Sequence, residues 1–108
     1  MKKTITKPKR LEAVVTPPGD KSISHRAALL NGISKGCARL SNFCVGDDRN
    51  SMIGCLRDLG VRISPILGKP DDFEIYGRGL DGLEEPSDVL YAGNSGTTMR
   101  LISGLLAG

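Results

Sequence analysis

The sequence predicts a mixed fold of helices and strands, α/β of the α+β kind, and three observations carry that prediction. Short apolar or alternating runs take turns with stretches of helical periodicity. Glycines and prolines mark the joints between them. A chain of 108 residues that is 39% hydrophobic and 25% charged has the make-up of one ordinary globular unit, or part of one.

Taken in order, Leu11 to Val15 predicts a short strand, closed by Pro17-Pro18-Gly19. Those prolines remove two backbone donors and permit a sharp change of direction, so the segment predicts a hinge. From Ser22 to about Ser34, Ile23, Ala27, Leu30 and Ile33 recur at the spacing of one helical face, with Gly36 as the stop. On that helix Ser22 and Arg26 are four apart and share a face. Ala38 to Phe43 predicts a strand. Asp47 and Asp48 offer N-caps for a second helix that buries Met52, Cys55, Leu56 and Leu59 and ends at Gly60. Val61 to Leu67 and Phe73 to Tyr76 predict two strands joined by a turn at Gly68-Lys69-Pro70-Asp71-Asp72. Pro86 and its acidic neighbours favour a loop over Leu83 to Leu90. Ser95 to Ala107 predicts a third helix whose Met99, Leu101, Ile102, Leu105 and Leu106 are apolar on more than one side, as in a helix packed between layers. Because Gly108 follows that apolar helix directly, the chain is expected to stop inside a larger structural unit.

Composition narrows the function classes. Fifteen basic and twelve acidic residues leave a net charge of +3, and Lys2, Lys3, Lys7, Lys9 and Arg10 concentrate cations in a leader. Only four aromatics occur (Phe43, Phe73, Tyr76, Tyr91), and none interleaves with the basic run to stack on bases, which speaks against nucleic acid as a partner. Thr4 to Arg10 lacks the apolar run of a signal peptide, and Leu101 to Ala107 is too short to cross a membrane. Cys37, Cys44 and Cys55 are odd in number and lack C-x-x-C spacing, so they read as free thiols, small core residues of a cytoplasmic protein.

Two segments carry the chemistry: Gly19-Asp20-Lys21-Ser22-Ile23-Ser24-His25-Arg26 and Gly93-Asn94-Ser95-Gly96-Thr97-Thr98-Met99-Arg100. In each, a glycine-bearing loop tips into a helix and brings cations and hydroxyls. A helix start leaves about four N–H groups without internal partners and carries roughly half a positive charge, so each is an anion cradle. In the first, Lys21 is a compact charge, Ser22 a hydroxyl and Arg26 a planar fork for carboxylate or phosphate. In the second, Asn94 or Ser95 caps the helix, while Gly96 permits close backbone approach and the N–H groups of Gly96, Thr97 and Thr98 are exposed. Each reads equally well, taken singly, as an ordinary capped helix. Lys21-Ser22 is no P-loop, because Asp20 and Val15 stand where that motif needs glycine. Gly77-Arg78-Gly79-Leu80-Asp81-Gly82 spells a dinucleotide fingerprint, but Glu84-Glu85-Pro86 follows where a helix is required, so it reads as a turn. His25, the single histidine, has no second ligand at metal spacing; it fits either beside an anion or as a packed, hydrogen-bonded ring.

Together, the two motifs at this separation, with Asp47-Asp48 between them, resemble the N-terminal part of the 5-enolpyruvylshikimate-3-phosphate synthases, or 3-phosphoshikimate 1-carboxyvinyltransferases. The resemblance runs over essentially the whole chain. It implies an enolpyruvyl-transferase-like domain built from βαβαββ units, with residues 1–18 the opening strand and hinge belonging to the other domain, and 19–108 the first part of a truncated substrate-binding domain. It implies transfer of the enolpyruvyl group of phosphoenolpyruvate to the 5-hydroxyl of shikimate 3-phosphate, with loss of phosphate through a tetrahedral adduct. That is a step of the shikimate pathway to aromatic amino acids. No metal or organic cofactor is implied, and neither a membrane nor nucleic acid is implied as a partner; the family's full-length enzymes are usually monomeric. Carried over by position, Lys21, Ser22 and Arg26 hold shikimate 3-phosphate, and Lys21, Asn94, Gly96 and Thr97 line the phosphoenolpyruvate pocket, with Arg100 in support.

Several negative charges brought together by two such substrates need more cations than these segments hold, and the proton-transferring acid and base are expected after Gly108. The chain alone is therefore expected to be inactive, with no catalytic residue assigned within it. A related transferase of a UDP-linked amino sugar shares the fold but resembles a Lys-Asn-rich first motif instead. An alternative of another class is a non-catalytic anion-binding or RNA-associated module.

Overall fold

The computed structural model describes residues 1–108. Asp20 is in an extended conformation and accepts from the Ile23 N–H at 2.8 Å through its carboxylate, which starts α1 at Lys21–Gly32. β1 spans Lys35–Leu40, α2 Asp47–Asp58, β2 Arg62–Ile66, β3 Lys69–Arg78 and α3 Gly96–Leu106. The three strands form one antiparallel sheet in the order β1-β3-β2, with Ala38 and Ile63 both opposite Ile75. α1 and α2 pack against this sheet, and α3 packs against α1 and α2. Met52, Cys55 and Leu56 of α2, with Leu59, Val61, Ile63, Ile75 and Ile102, form the buried core.

Four expectations are corrected here. Leu11 to Val15 forms no strand; it pairs with no sheet edge, and Leu11, Val14 and Val15 are exposed. A lone strand has no ladder to hold it. On α1 the buried face is Ser24, His25, Ala28 and Gly32, while Ile23 and Leu30 point outward. The cap of α2 is Gly46, at φ +114°, and Asp47 and Asp48 lie in its first turn, where their charge complements the helix dipole. α3 buries Thr98 and Ile102 but leaves Met99 and Leu106 more than half exposed, because this chain packs against one side of it only.

The hairpin turn is also shorter than expected. It falls at Leu67-Gly68, with Gly68 at φ +75°, and Lys69 to Asp72, expected in the turn, are the first residues of β3. β1 reaches only as far as Phe73, so Pro70 lies where β3 has no partner on that side and its missing N–H costs no ladder bond there. Cys44 and Cys55 are buried as expected, whereas Cys37 on β1 is exposed. Gly77 to Gly82 carries no helix and runs from the end of β3 into a turn, as the sequence suggested.

The connection from β1 to α2 is what aligns the helix ends. The Asp72 carboxylate accepts from the Asn42 N–H at 3.1 Å and from Ser41 Oγ and Arg39 Nη2, each at 3.2 Å, holding Asn42 at φ +56°. The Asn42 N–H, with Arg39 and Ser41 adding to it, keeps the Asp72 carboxyl below the usual carboxylate range. Gly19 crosses directly against this loop: a Cβ there would overlap the Asn42 carbonyl oxygen and lie 2.8 Å from the Cys44 nitrogen. Only glycine allows the two backbones to cross at that distance.

Candidate functional site where three helix ends meet

The first cradle is built on the opening turn of α1. Ser24 Oγ donates to the Asp20 carbonyl at 2.6 Å and accepts from the buried Cys44 N–H at 2.9 Å, so α1 is fastened to the β1–α2 connection by one hydroxyl. His25, fully buried, places Nδ1 2.8 Å from the Lys21 carbonyl oxygen and Nε2 3.1 Å from the Asp48 carbonyl oxygen. It is a packed, hydrogen-bonded ring and does not face an anion seat. Lys21, Ser22 and Arg26 are exposed on the outer side of the same turn. Lys21 Nζ forms a salt bridge to the Asp48 carboxylate at the start of α2, while Arg26 pairs with no carboxylate.

The second cradle is the start of α3. Ser95 is the cap: its Oγ accepts from the Thr98 N–H at 3.1 Å and donates to Thr98 Oγ1 at 2.8 Å. The Thr98 N–H is thus taken, a correction to its expected exposure, and the N–H groups left without an intrahelical partner at this end are those of Gly96 and Thr97. Asn94 and Gly96 are exposed and Thr97 is half-buried. Arg100 folds back over Gly96, so that a Cβ at Gly96 would lie 2.6 Å from Arg100 Nη1.

Asp48 joins the two. Its carboxyl is held below the usual range first by the Lys21 ammonium, with the Ser95 hydroxyl and the His25 ring adding to the effect against some desolvation. The starts of α1 and α2 are joined through the Lys21–Asp48 salt bridge, and Asp48 lines one hollow with Gly93 and Asn94, which lead into α3. Sequence reasoning gave Asp48 only a capping role, and the sole sign of this one was its place between the motifs. Between α2 and the loop ahead of α3 lies a hollow of about 570 Å³, lined by Asp47, Asp48, Asp58, Ser51, Gly93 and Asn94 among others. Asp47, Asp48 and Asp58 give this hollow an acidic lining. No group of three His, Cys, Asp or Glu residues is arranged to hold a metal ion.

Fold and site define a class: an α/β domain in which glycine-bearing loops lead into α1 and α3, with Lys21 at one helix start and Arg100 folded over Gly96 at the other. A family profile described as EPSP synthase (3-phosphoshikimate 1-carboxyvinyltransferase) matches residues 5–108. Among curated relatives, the 3-phosphoshikimate 1-carboxyvinyltransferase of Herpetosiphon aurantiacus is 52% identical over 108 residues, 100% of this chain and 24% of its own length. That of Alkaliphilus metalliredigens is 55% identical over 102 residues, 94% of this chain and 23% of its own length. The solved EPSP synthase from Acinetobacter baumannii superimposes with a TM-score of 0.80 at 41% identity, covering 87% of this chain and 21% of that one. The chain belongs to the EPSP synthase family, and it spans about a quarter of the length of the curated relatives it matches.

Proposed function

We propose that this chain provides two of the anion seats of an enzyme that transfers the enolpyruvyl group of phosphoenolpyruvate to the 5-hydroxyl of shikimate 3-phosphate and releases phosphate. The observation that supports the reading is the position of Asp48, which pairs with Lys21 at the start of α1 and lines one hollow with Asn94 ahead of α3. Lys21, Ser22 and Arg26 then hold shikimate 3-phosphate: Arg26 offers a two-pronged grip, Ser22 a hydroxyl, and the free N–H groups of Lys21 and Ser22 the positive end of α1. Asn94, Gly96 and Thr97 line the phosphoenolpyruvate pocket, with the N–H groups of Gly96 and Thr97 turned to its anionic groups. Lys21 serves both ligands, and Asp48 keeps its ammonium oriented between them.

In the reaction, the 5-hydroxyl oxygen gives up its proton and bonds to C2 of phosphoenolpyruvate as a proton reaches the methylene carbon, giving a tetrahedral adduct that loses phosphate and a proton from the new methyl group, which restores the methylene. The seats described here bind and orient; they contain no group assigned to those proton transfers. The two substrates bring two phosphates and two carboxylates, whereas the cradles hold only Lys21, Arg26 and Arg100 as cations, and Lys21 is already paired. Further cations and the acid and base are assigned to the part of the enzyme outside these residues, in keeping with the relatives' greater length. Residues 1–18 act as the segment, hinged at Pro17-Pro18, that leads to a second domain, which fits their lack of pairing with the sheet here.

The reading is tested by phosphate release in the complete enzyme, comparing wild type with Lys21→Met. The expected result is a loss of at least about tenfold in kcat/KM, the equivalent of one charge-assisted contact at about 1.5–3 kcal/mol. Undiminished turnover would exclude Lys21 from the site. The isolated 108-residue chain is expected to bind shikimate 3-phosphate without turnover.

A further inference from the structure

The first turn of α2 has no capping side chain: its cap is Gly46, at φ +114°. A glycine joint of that kind leaves the rotation of the helix start about its own axis to other contacts. Arg49 supplies them. Its Nη1 donates to the Asp71 carboxylate near the start of β3 at 2.8 Å, and its guanidinium lies over the Phe73 ring, 5.7 Å from the centroid. Phe43, from the β1–α2 connection, meets that ring edge-on at 5.6 Å, and its N–H donates to the Asp71 carbonyl at 2.7 Å. The Arg49 side chain is only 18% exposed, so the contact is held mostly out of water. We propose that Arg49 is a positioning residue, whose grip on Asp71 and Phe73 sets the rotation of the first turn of α2 and so holds Asp48 against Lys21 at the anion seat.

Successive residues of a helix point about 100° apart, so fixing Arg49 toward the sheet fixes the direction of Asp48 as well. Asp48 then meets α1 twice, through its carboxylate with Lys21 and through its carbonyl, 3.1 Å from His25 Nε2. The Lys21–Asp48 pair is partly exposed at both ends, and such a pair by itself holds its partners weakly. Its fixed geometry comes from the better buried arginine one residue on. Stability alone gives a poor account of Arg49, because its Nε is buried without a hydrogen-bond partner, a cost that an apolar side chain over Phe73 would not incur. What an arginine adds there is direction, as a planar group tied to β3. Only the step to substrate rests on the proposed function, through Lys21; the clamp belongs to the fold.

The clamp is tested by titrating the Asp48 carboxyl in the 108-residue chain after Asp71→Ala, which removes the acceptor and leaves Arg49 in place. If Asp71 acted on Asp48 through its charge alone, losing that negative charge would make Asp48 easier to ionise, and its midpoint would fall. A loosened start of α2 separates Asp48 from Lys21 instead, so the midpoint is expected to rise toward the ordinary aspartate range. A midpoint that falls or stays in place overturns the proposal. Should Asp71→Ala fail to fold, Asp71→Ser, too short to reach the guanidinium, carries the same expectation. In the complete enzyme, Asp71→Ala is expected to raise the KM for shikimate 3-phosphate about threefold and to leave kcat within about twofold, as a loss of uniform binding does. If Lys21→Met lowers kcat/KM while Asp71→Ala leaves KM unmoved, the positioning role is wrong. If neither variant changes the kinetics and the Asp48 midpoint still rises, the clamp is upheld and it is Lys21 as a substrate-binding cation that fails.

Discussion

Lys21 and Asp48 are paired across the starts of α1 and α2, and Asp48 lines one hollow with Gly93 and Asn94 ahead of α3. Asp48 thus lies between two motifs that are more than seventy positions apart in the chain. The pair is partly solvent-exposed, so its value is geometric more than energetic.

Its pH dependence has a definite sign. The Asp48 carboxyl is lowered in the folded state, so what it adds to stability is complete above the ordinary aspartate value of about 3.9 and is lost as the pH falls through the lower folded value. Lys21→Met removes the largest cause of that lowering. A carboxyl titration should show the Asp48 midpoint rising toward the ordinary range in the variant, and an unchanged midpoint would mean the pair does not form in solution.

Gly19→Ala puts a methyl group into the crossing with Asn42 and Cys44, where every neighbour is backbone and none can swing aside. The expected loss is about 1–3 kcal/mol, the usual range for overpacking, read from the urea midpoint of unfolding. A neutral result would show that the crossing opens readily.

Ser24→Ala leaves the buried Cys44 N–H without its acceptor, since Ser24 Oγ takes that bond at 2.9 Å. The expected cost is about 1–3 kcal/mol, with faster amide exchange at Cys44 as a local sign. Destabilisation without faster exchange at Cys44 would place the effect elsewhere.

At Gly96, the added methyl of Gly96→Ala meets the far end of a flexible side chain, Arg100 Nη1 at 2.6 Å. The fold is therefore expected to hold to within ~1 kcal/mol, since alanine suits a helix start no worse than glycine, while Arg100 moves off the loop. In the complete enzyme, a bulkier phosphoenolpyruvate mimic should lose more affinity than phosphoenolpyruvate itself. Equal losses would mean that Gly96 serves backbone geometry instead of ligand space.

Much of this fold is legible where apolar periodicity and burial coincide. Met52, Cys55, Leu56 and Leu59 mark the core face of α2 in sequence and occupy it in the structure. The face of α1 was misread for a specific reason: its inward residues include Ser24 and His25, whose polarity is absorbed by bonds to Asp20, Cys44, Lys21 and Asp48 that no local pattern reveals. Ile23 and Leu30 looked like core and are exposed, and Leu11 to Val15 looked like a strand and finds no partner among these residues. In both cases sequence registers an apolar side chain but not which surface covers it. Both cradles were visible as motifs because glycines, hydroxyls and cations at a helix start are local chemistry. Their meeting through Asp48 depends on tertiary contacts and was not.

The most direct measurement is a titration of the chain with shikimate 3-phosphate, following backbone amides, against a generic phosphorylated sugar at equal ionic strength. Saturable shifts at Lys21, Ser22 and Arg26 with shikimate 3-phosphate, and weaker, non-saturating ones with the sugar, are what the converging cradles predict. Shifts of the same size for both ligands, centred on Lys2, Lys3 and Lys7 of the leader, would contradict it.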